Sequence, residues 1–226
     1  MDRTGAWTYD EMRQIGTDYD SIERVREYDE RMSSLRDVRA EANAILDELD
    51  LSKDDALVEL GSGTGELAIE ASRRCDRVYA LDVSRTMLDY AREKAALRGA
   101  AGIVFVHAGF LGYNHDGPPP AAVVSQLALH HLPDFWKLIA LTRIHDLLAP
   151  GGRFFLRDVV FAVQPAKLSS TIERTINRMR ESAGEAAALD YERHVREEYS
   201  TYDWVMEEML YRAGFTIERA DYGDFF

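Results

Sequence analysis

Three closely spaced glycines separate a short apolar run from a helical segment, and this feature constrains the fold most strongly. Residues 56–60 are predicted to form a buried strand and residues 66–74 a helix, with Gly61, Gly63 and Gly65 between them. Glycine lets a backbone turn sharply and approach a ligand closely. The N-terminus of the following helix offers free N–H groups to polar atoms of that ligand. The segment therefore predicts a nucleotide-type binding site at the end of the strand.

Strands and helices alternate along most of the chain. Five strands are predicted, at residues 56–60, 77–82, 103–106, 121–127 and 153–160. Strands joined by helices of about ten residues or more form a parallel sheet with helices on both faces. The predicted fold class is therefore α/β: a Rossmann-like, doubly wound, mostly parallel sheet with helices on both faces and a helical insertion after the fifth strand. Ligands bind such sheets beyond the carboxyl ends of the strands.

Two segments fall outside this alternation. Residues 1–32 carry charged and aromatic side chains with little periodicity, and residues 164–200 contain one or two predicted helices. Because function in such folds concentrates in the elements around the sheet, we expect an N-terminal lid over residues 1–32. The α/β domain is expected over residues 33–226, with residues 164–200 as its helical cap. Its opening helix is predicted at residues 33–49 and a sixth strand at residues 215–222.

Composition limits the classes of partner. The net charge of −13 repels a phosphate backbone on average, which disfavours nucleic acid. No run approaches the ~20 apolar residues that span a bilayer, and the start has no apolar signal-peptide region. A single cysteine, Cys75, excludes an intrachain disulfide. These points favour a cytoplasmic protein without a nucleic-acid partner. We expect a monomer or homodimer.

The glycine spacing differs from the dinucleotide-binding pattern G-x-G-x-x-G. Gly65 comes one residue early, and Glu66 stands where that pattern requires glycine. Glu59 adds a carboxylate at the end of the strand, which favours a ligand with an ammonium group and no phosphate. Asp82 ends the second strand, about twenty residues later, where a carboxylate accepts hydrogen bonds from ribose hydroxyls. S-adenosylmethionine (SAM) is a ligand with these features.

The sequence resembles the class I SAM-dependent methyltransferases, particularly the small-molecule branch related to quinone-biosynthesis enzymes, with a type 11 domain. The matching pieces are Tyr28-Asp29, the glycine segment, residues 81–84 with Met87-Leu88, and residues 125–134 and 148–152. The resemblance covers roughly residues 25–160 and includes the order and spacing of the motifs. It implies an enzyme that transfers a methyl group from SAM to a small-molecule acceptor in line and releases S-adenosylhomocysteine (SAH).

The resemblance also implies roles for individual residues. Glu59, with the glycines that follow it, would hold the methionine part of SAM, and Asp82 would bind the ribose. The family often has Gly-Asp after the third strand to bind the adenine amino group. Here Gly109 and Phe110 stand there, so backbone groups would make that contact. The complete predicted cofactor set is Tyr28, Glu59, Gly61, Ser62, Gly63, Asp82, Val83, Met87, Gly109, Phe110 and Gln126.

Candidates for acceptor contacts come from two regions. His130 and His131 follow the fourth strand, where the methyl group should lie, and we expect one of them, His131, to line the site. Tyr191 and His194 in the insertion are further candidates, although a solvated helix would also explain them. The neighbouring pair Glu197-Glu198 is interpreted as a solvated face. No metal site is expected, because no ligand cluster has suitable spacing.

Two other classes of function stay open as interpretations of the sequence. A nicotinamide dehydrogenase would need the dinucleotide glycine spacing, and Glu59 opposes it. A non-catalytic methyltransferase-fold subunit that binds or scaffolds another protein would not need an intact glycine loop or Asp82.

Residues 125–128 lack the Asn-Pro-Pro-Tyr-like motif of enzymes that methylate adenine or glutamine amides. The acceptor atom, whether O, N, S or C, is left open by the sequence.

Overall fold

Five parallel strands form the central sheet. The computed structural model describes residues 7–13, 15, 16, 19 and 21–223, without the side chains of residues 34 and 35. The strands are β1 (Ala56–Leu60), β2 (Arg77–Asp82), β3 (Ile103–His107), β4 (Ala122–Gln126) and β5 (Arg153–Arg157). Their spatial order is β3-β2-β1-β4-β5. The order reverses between β1 and β4, and the carboxyl ends of strands at such a switch point leave a crevice. The predicted fold class is confirmed.

Helices cover both faces of the sheet. Alternate residues of a strand point to opposite sides, and the central strands carry apolar side chains on both. On one face, Leu57 and Val78 pack with α2 (Val38–Leu49) and α3 (Glu66–Ala71). On the other, Val58 and Leu81 pack with α5 (Asp134–Leu147) and α8 (Asp203–Arg212). The remaining helices are α1 (Ile22–Leu35), α4 (Arg85–Leu97), α6 (Leu168–Ala183) and α7 (Glu185–Glu197). Both faces of β1 are therefore covered, and all five of its residues are buried.

The helix predicted at residues 33–49 is two helices. α1 already begins at Ile22, and the chain leaves the helical conformation at Arg36. The side chain of Asp37 then accepts a hydrogen bond from the N–H of Ala40, 2.9 Å away, and starts α2. An aspartate at this position satisfies a free N–H of the first turn and favours a new helix. Most of α1 thus lies in the segment that the sequence suggested was irregular.

The predicted sixth strand is absent from the described residues. Residues 215–223 pair with no strand, although Phe215 and Ile217 are half-buried, as alternation predicts. The ring of Phe215 packs on Phe154 of β5, with ring centroids 5.4 Å apart. The exposed Arg219 instead pairs with Glu48 of α2, at 3.1 Å. Side-chain packing on the sheet edge thus accounts for the alternating pattern without a hydrogen-bonded ladder.

The insertion after β5 contains two helices, α6 and α7, which pack against each other. Two short parallel strands flank it, β6 (Val160–Phe161) and β7 (Thr201–Tyr202). Their pairing closes the insertion into a loop whose two ends lie together. None of the helices in the described part of the chain has the length and apolar character needed to cross a membrane.

Candidate active site

The glycine loop after β1 is tied to the end of β2 by hydrogen bonds. The N–H groups of Gly61 and Ser62 both donate to the carbonyl of Leu81, at 2.9 and 2.8 Å. Gly61 has a φ of +76°, and a Cβ at this position would lie 2.3 Å from the Cβ of Ala128. Only glycine fits such a conformation at such a close approach. The loop thus brings its backbone to the crevice between β1 and β4.

Glu59 is the buried carboxylate of this loop. Its side chain is buried, and Oε2 has no hydrogen-bond partner among the described residues. Burial raises the pKa of Glu59 to about 8, helped by the charges of Asp82 and Glu66, although the N–H of Ala68 opposes the shift. A buried polar atom without a partner is costly and needs an explanation. Such a group suits a ligand that brings a cation or an N–H donor.

A narrow cleft runs between the loop and α1. Its lining from α1 includes Tyr28, Asp29 and Met32, and its floor includes Leu127. Leu127 has a left-handed backbone, with φ of +52°, which is rare for a residue with a side chain and is found preferentially at functional sites. Six members of the predicted cofactor set line this cleft, namely Tyr28, Glu59, Gly61, Ser62, Gly63 and Gln126.

The other five members of that set lie around the ends of β2 and β3. Asp82 is hydrogen-bonded to the glycine loop and Met87 is buried in the first turn of α4. The carbonyl of Val83 accepts a hydrogen bond from Nε2 of His107, at 2.8 Å. Gly109 and Phe110 follow β3. The roles assigned to these residues in SAM binding stay predictions.

Glu11 of the N-terminal segment lies against the loop after β3, a contact that the sequence did not predict. Its carboxylate accepts hydrogen bonds from the N–H groups of Leu111 and Gly112, at 2.8 and 2.6 Å. A Cβ on Gly109 would lie 2.4 Å from Oε2 of Glu11. The N-terminal segment thus places an acidic group against the loop after β3.

α1 is attached to the glycine loop through Asp29. Its carboxylate accepts hydrogen bonds from the hydroxyls of Thr64 and Tyr90, at 2.6 and 3.1 Å, and from Nζ of Lys94, at 2.8 Å. Burial would raise the pKa of Asp29, but the hydrogen bonds from Lys94 and Thr64 outweigh it and lower the pKa. One ionised carboxylate therefore connects α1, the loop and α4.

A cluster of histidines and carboxylates lies beyond the end of β4. His130 is bonded through Nδ1 to Asp158, and its Nε2 lies 3.1 Å from Oε2 of Glu198. The ring centroids of His131 and His194 are 4.4 and 4.9 Å from that of His130. The interpretation of Glu198 as solvated is wrong, because its side chain is only 10% exposed. It follows the last residue of α7, and the N–H of the next residue, Tyr199, donates to the carbonyl of His130, at 2.9 Å, which holds this end of the helix against the cluster.

The predicted acceptor residues meet in this cluster. The ring of Tyr191 is stacked on His194, with centroids 6.1 Å apart and an angle of 9° between the ring planes. His131 and His194 are both close to His130. Residues from the end of β4 and from the insertion are thus brought together, although their contact with an acceptor stays a prediction. Both histidines of the pair, rather than one, belong to the cluster.

The two neighbouring histidines of the cluster, His130 and His131, have pKa values shifted in opposite directions. Burial alone would lower the pKa of His130, but the carboxylates of Asp158 and Glu198 outweigh it and raise the pKa to about 9. Burial lowers the pKa of His131 to about 4, and the charge on His130 adds to this effect. Hydrogen bonds from His130 and His194 overcome burial and hold the pKa of Glu198 low. At neutral pH His131 is therefore uncharged beside a protonated His130.

The N-terminal segment and α7 meet over this cluster. The hydroxyl of Tyr9 donates to the carbonyl of His131, at 3.2 Å, and Gly16 lies against the carboxylate of Glu198. Arg31 of α1 pairs with Asp190 of α7, at 2.6 Å. Both segments that were predicted to form a lid therefore lie at the carboxyl ends of the strands.

The cofactor cleft and the histidine cluster are close in space. Ala128 touches Gly61, as its close approach to that glycine shows. His130 and His131 follow Ala128 by two and three residues, so their Cα atoms lie within about 12 Å of it at ~3.8 Å per residue. The segment after β4 therefore joins the cofactor cleft to the histidine cluster.

Comparisons with known proteins agree with this geometry. Residues 57–152 match the family model of a methyltransferase domain. An uncharacterized methyltransferase of Geobacillus kaustophilus is 30% identical over 201 residues, which are 89% of this chain and 86% of the relative. The chain is a class I SAM-dependent methyltransferase. It is an enzyme of this family, as the resemblance implied.

Solved structures share the fold of this methyltransferase. A cyclopropane synthase of Mycobacterium tuberculosis matches with a TM-score of 0.61 at 18% identity, over 80% of this chain and 61% of that one. A mycolic acid cyclopropane synthase with bound SAH matches with a TM-score of 0.60 at 17% identity, over the same shares of the two chains. At these identities the likeness shows the fold alone.

Sequence reasoning missed three acidic residues near the sites of this methyltransferase. Asp158 directly follows β5, and a carboxylate at the carboxyl end of a strand beside β4 was a signal that could have found it. Glu198 and Glu11 carried no such signal, because each reaches its partners only through the packing of a segment outside the sheet. Both stand among other acidic residues that are exposed.

Proposed function

We propose that this methyltransferase transfers a methyl group from SAM to a small-molecule acceptor held beside His131, Tyr191 and His194. The observation that carries the proposal is the buried Oε2 of Glu59, which has no hydrogen-bond partner among the described residues and belongs to a side chain that lines the cofactor cleft with the glycines. Its position suits the ammonium group of the methionine part of SAM. The resemblance of the motifs to related enzymes supports the same cofactor.

The residues of the cleft fit SAM. Ser62 Oγ is buried without a partner among the described residues, and the space in front of Gly63 is open. Asp82 lies one hydrogen bond from Gly63 and has further lone pairs for the ribose hydroxyls. Bound SAM supplies a methyl group attached to a sulfonium sulfur. When the methyl group is transferred, the sulfur leaves as a neutral thioether and needs no proton. On the cofactor side the protein therefore needs only to bind, orient and desolvate, and an acceptor that carries a proton must lose it to a base or to water.

On the acceptor side, His131 is the residue suited to orienting a hydroxyl, thiol or amine. Its low pKa keeps it neutral, so a ring nitrogen can accept a hydrogen bond and direct the acceptor's lone pair. The stacked rings of Tyr191 and His194 offer an apolar wall. Holding two reactants in line supplies a large part of the acceleration in such a displacement.

Enclosure by two segments argues for a small acceptor. α1 covers the cofactor cleft, and the pair of Arg31 and Asp190 joins α1 to α7. A macromolecular chain would have to displace these elements to reach the cluster. The net charge of −13 also disfavours nucleic acid. The cytoplasmic location and the monomeric or homodimeric state stay predictions.

Calorimetric titration tests the cofactor, and an acceptor screen tests the reaction. We expect SAM and SAH to bind saturably at one site per chain, and NAD not to bind. A panel of small thiols, phenols, amines and activated carbon acids, assayed for SAH release, should contain a substrate. Absence of SAM binding would overturn the proposal, and so would methyl transfer restricted to nucleic acid or protein.

A further inference from the structure

Three side chains outside the cofactor cleft converge on one point. His130 and His131 each offer a ring nitrogen and Glu198 a carboxylate oxygen, and these atoms lie within 4.8 Å of one another. Two ligands bonded to one ion at ~2.1 Å lie no more than ~4.2 Å apart. Sub-ångström shifts of side chains would therefore bring all three atoms onto a single ion. Residues distant in the sequence thus supply a ligand set that their spacing did not reveal.

Asp158 fixes the orientation of the first ligand. It is almost fully buried and is bonded to Nδ1 of His130, which leaves Nε2 facing Glu198. The carboxylate of Asp158 is itself held by the N–H groups of His130 and Val159, at 2.9 and 2.7 Å. Metal-bound histidines commonly donate their second ring N–H to such a carboxylate, which fixes the ring and raises its basicity.

His131 has a buried nitrogen that no described residue uses. Its Nδ1 is inaccessible to solvent and has no hydrogen-bond partner in the described part of the chain. Its ring lies 4.4 Å from the ring of His130. A buried nitrogen lone pair without a partner is unfavourable, and an ion in the cluster would give it one.

The charges of the cluster favour a divalent cation. Asp158 and Glu198 are two carboxylates with side chains 1% and 10% exposed. When His130 releases its proton on metal binding, the group carries two negative charges, which a divalent ion balances. His194 faces the same carboxylate of Glu198 through Nδ1, and its Nε2 is 2.7 Å from the hydroxyl of Ser200. It can therefore support Glu198 from outside the ligand set.

We propose that His130, His131 and Glu198 bind a divalent first-row transition metal ion, with Asp158 and His194 holding two of the ligands in place. Two nitrogen ligands and one oxygen ligand suit Zn²⁺, Co²⁺ or Fe²⁺ better than Mg²⁺ or Ca²⁺, which prefer oxygen ligands. Three protein ligands leave a position for water or another ligand. Metal binding does not depend on the proposed methyl transfer.

The test is a titration of chelator-treated full-length protein with Zn²⁺, repeated with Co²⁺ to record its visible absorption. We expect one Zn²⁺ per chain and a Co²⁺ spectrum typical of nitrogen and oxygen ligands. Glu198→Gln and His131→Gln should each weaken binding by about tenfold or more, since loss of even a group that supports a ligand costs that much. The matched control is Glu197→Gln, at the exposed neighbouring carboxylate, which should stay within about twofold of the wild type.

Either of two results of the Zn²⁺ titration would overturn the proposal: wild-type protein that binds no stoichiometric Zn²⁺, or a Zn²⁺ affinity unchanged in both ligand variants. Circular dichroism shows whether each variant is folded. If Glu198→Gln does not fold, His131→Gln decides, since Nδ1 of His131 has no described partner to lose. Excess Mg²⁺ should not compete, and competition by Mg²⁺ would also contradict the assignment.

Discussion

The carboxylate of Asp82 accepts a hydrogen bond from the N–H of Gly63, 2.8 Å away, through one oxygen. Its other oxygen accepts the N–H of Ser84, also at 2.8 Å, at the start of α4. One side chain at the end of β2 thus fixes both the glycine loop and the entry to the next helix. The shape of the cofactor cleft depends on this contact.

Replacing Asp82 should weaken cofactor binding. Asp82→Ala removes an acceptor for the ribose and a bond to the loop, so SAH affinity should fall by roughly 1.5–3 kcal/mol, the range for hydrogen bonds to charged groups. Isothermal calorimetry measures the change. Asp89→Ala on the exposed side of α4 is the control and should bind normally. Equal affinities of the two variants would reject the role of Asp82.

Replacing His194 should separate chemistry from cofactor binding. His194 lies in the insertion and is not among the residues that line the cofactor cleft. His194→Ala should impair methyl transfer while SAH affinity stays within about threefold, or under ~1 kcal/mol. Tyr191→Ala should behave in the same way if it remains folded. SAH affinity that falls in parallel with the transfer rate would contradict the assignment of His194 to the acceptor part of the site.

The buried Glu59 should make stability depend on pH. Its pKa is near 4.5 in an unfolded chain and about 8 in the folded protein. The folded state therefore binds more protons between these values, so stability falls as the pH rises from about 4.5 to about 8. Glu59→Gln removes this contribution.

Denaturant unfolding of both proteins at pH 6 and pH 9 measures the effect, with other titrating groups cancelling in the difference. Relative to Glu59→Gln, the wild type should lose stability at the higher pH. If the difference in unfolding free energy between the two proteins does not change with pH, the pKa of Glu59 is not raised by folding.

Removing Asp29 should loosen α1. Asp29→Ala leaves Thr64 and Lys94 without a shared acceptor, and a buried polar group deprived of its partner costs about 1–3 kcal/mol. Denaturant unfolding measures the loss. The control is Glu30→Ala, at an exposed neighbour on the same helix. If both variants unfold alike, α1 is not held through Asp29.

Local sequence patterns predicted secondary structure correctly where residues adjacent in the sequence decide it. Strand, glycine turn and helix follow one another within residues 56–71, so backbone preference and apolar spacing suffice to define them. The same reasoning was wrong for residues 215–222, where alternating burial results from side-chain packing on β5. Helix α1 was missed because it is highly charged, and it is held by contacts such as that of Asp29 with Lys94.

The sequence by itself determined the α/β fold, the glycine loop and the carboxylate at the end of β2, because each depends on residues close together in the chain. Tertiary structure alone decided that Glu198 faces His130 and that Glu11 reaches the loop after β3. Those contacts require α7 and the N-terminal segment to pack over the strand ends. Burial and hydrogen bonds across distant segments drive that packing, and no local spacing encodes it.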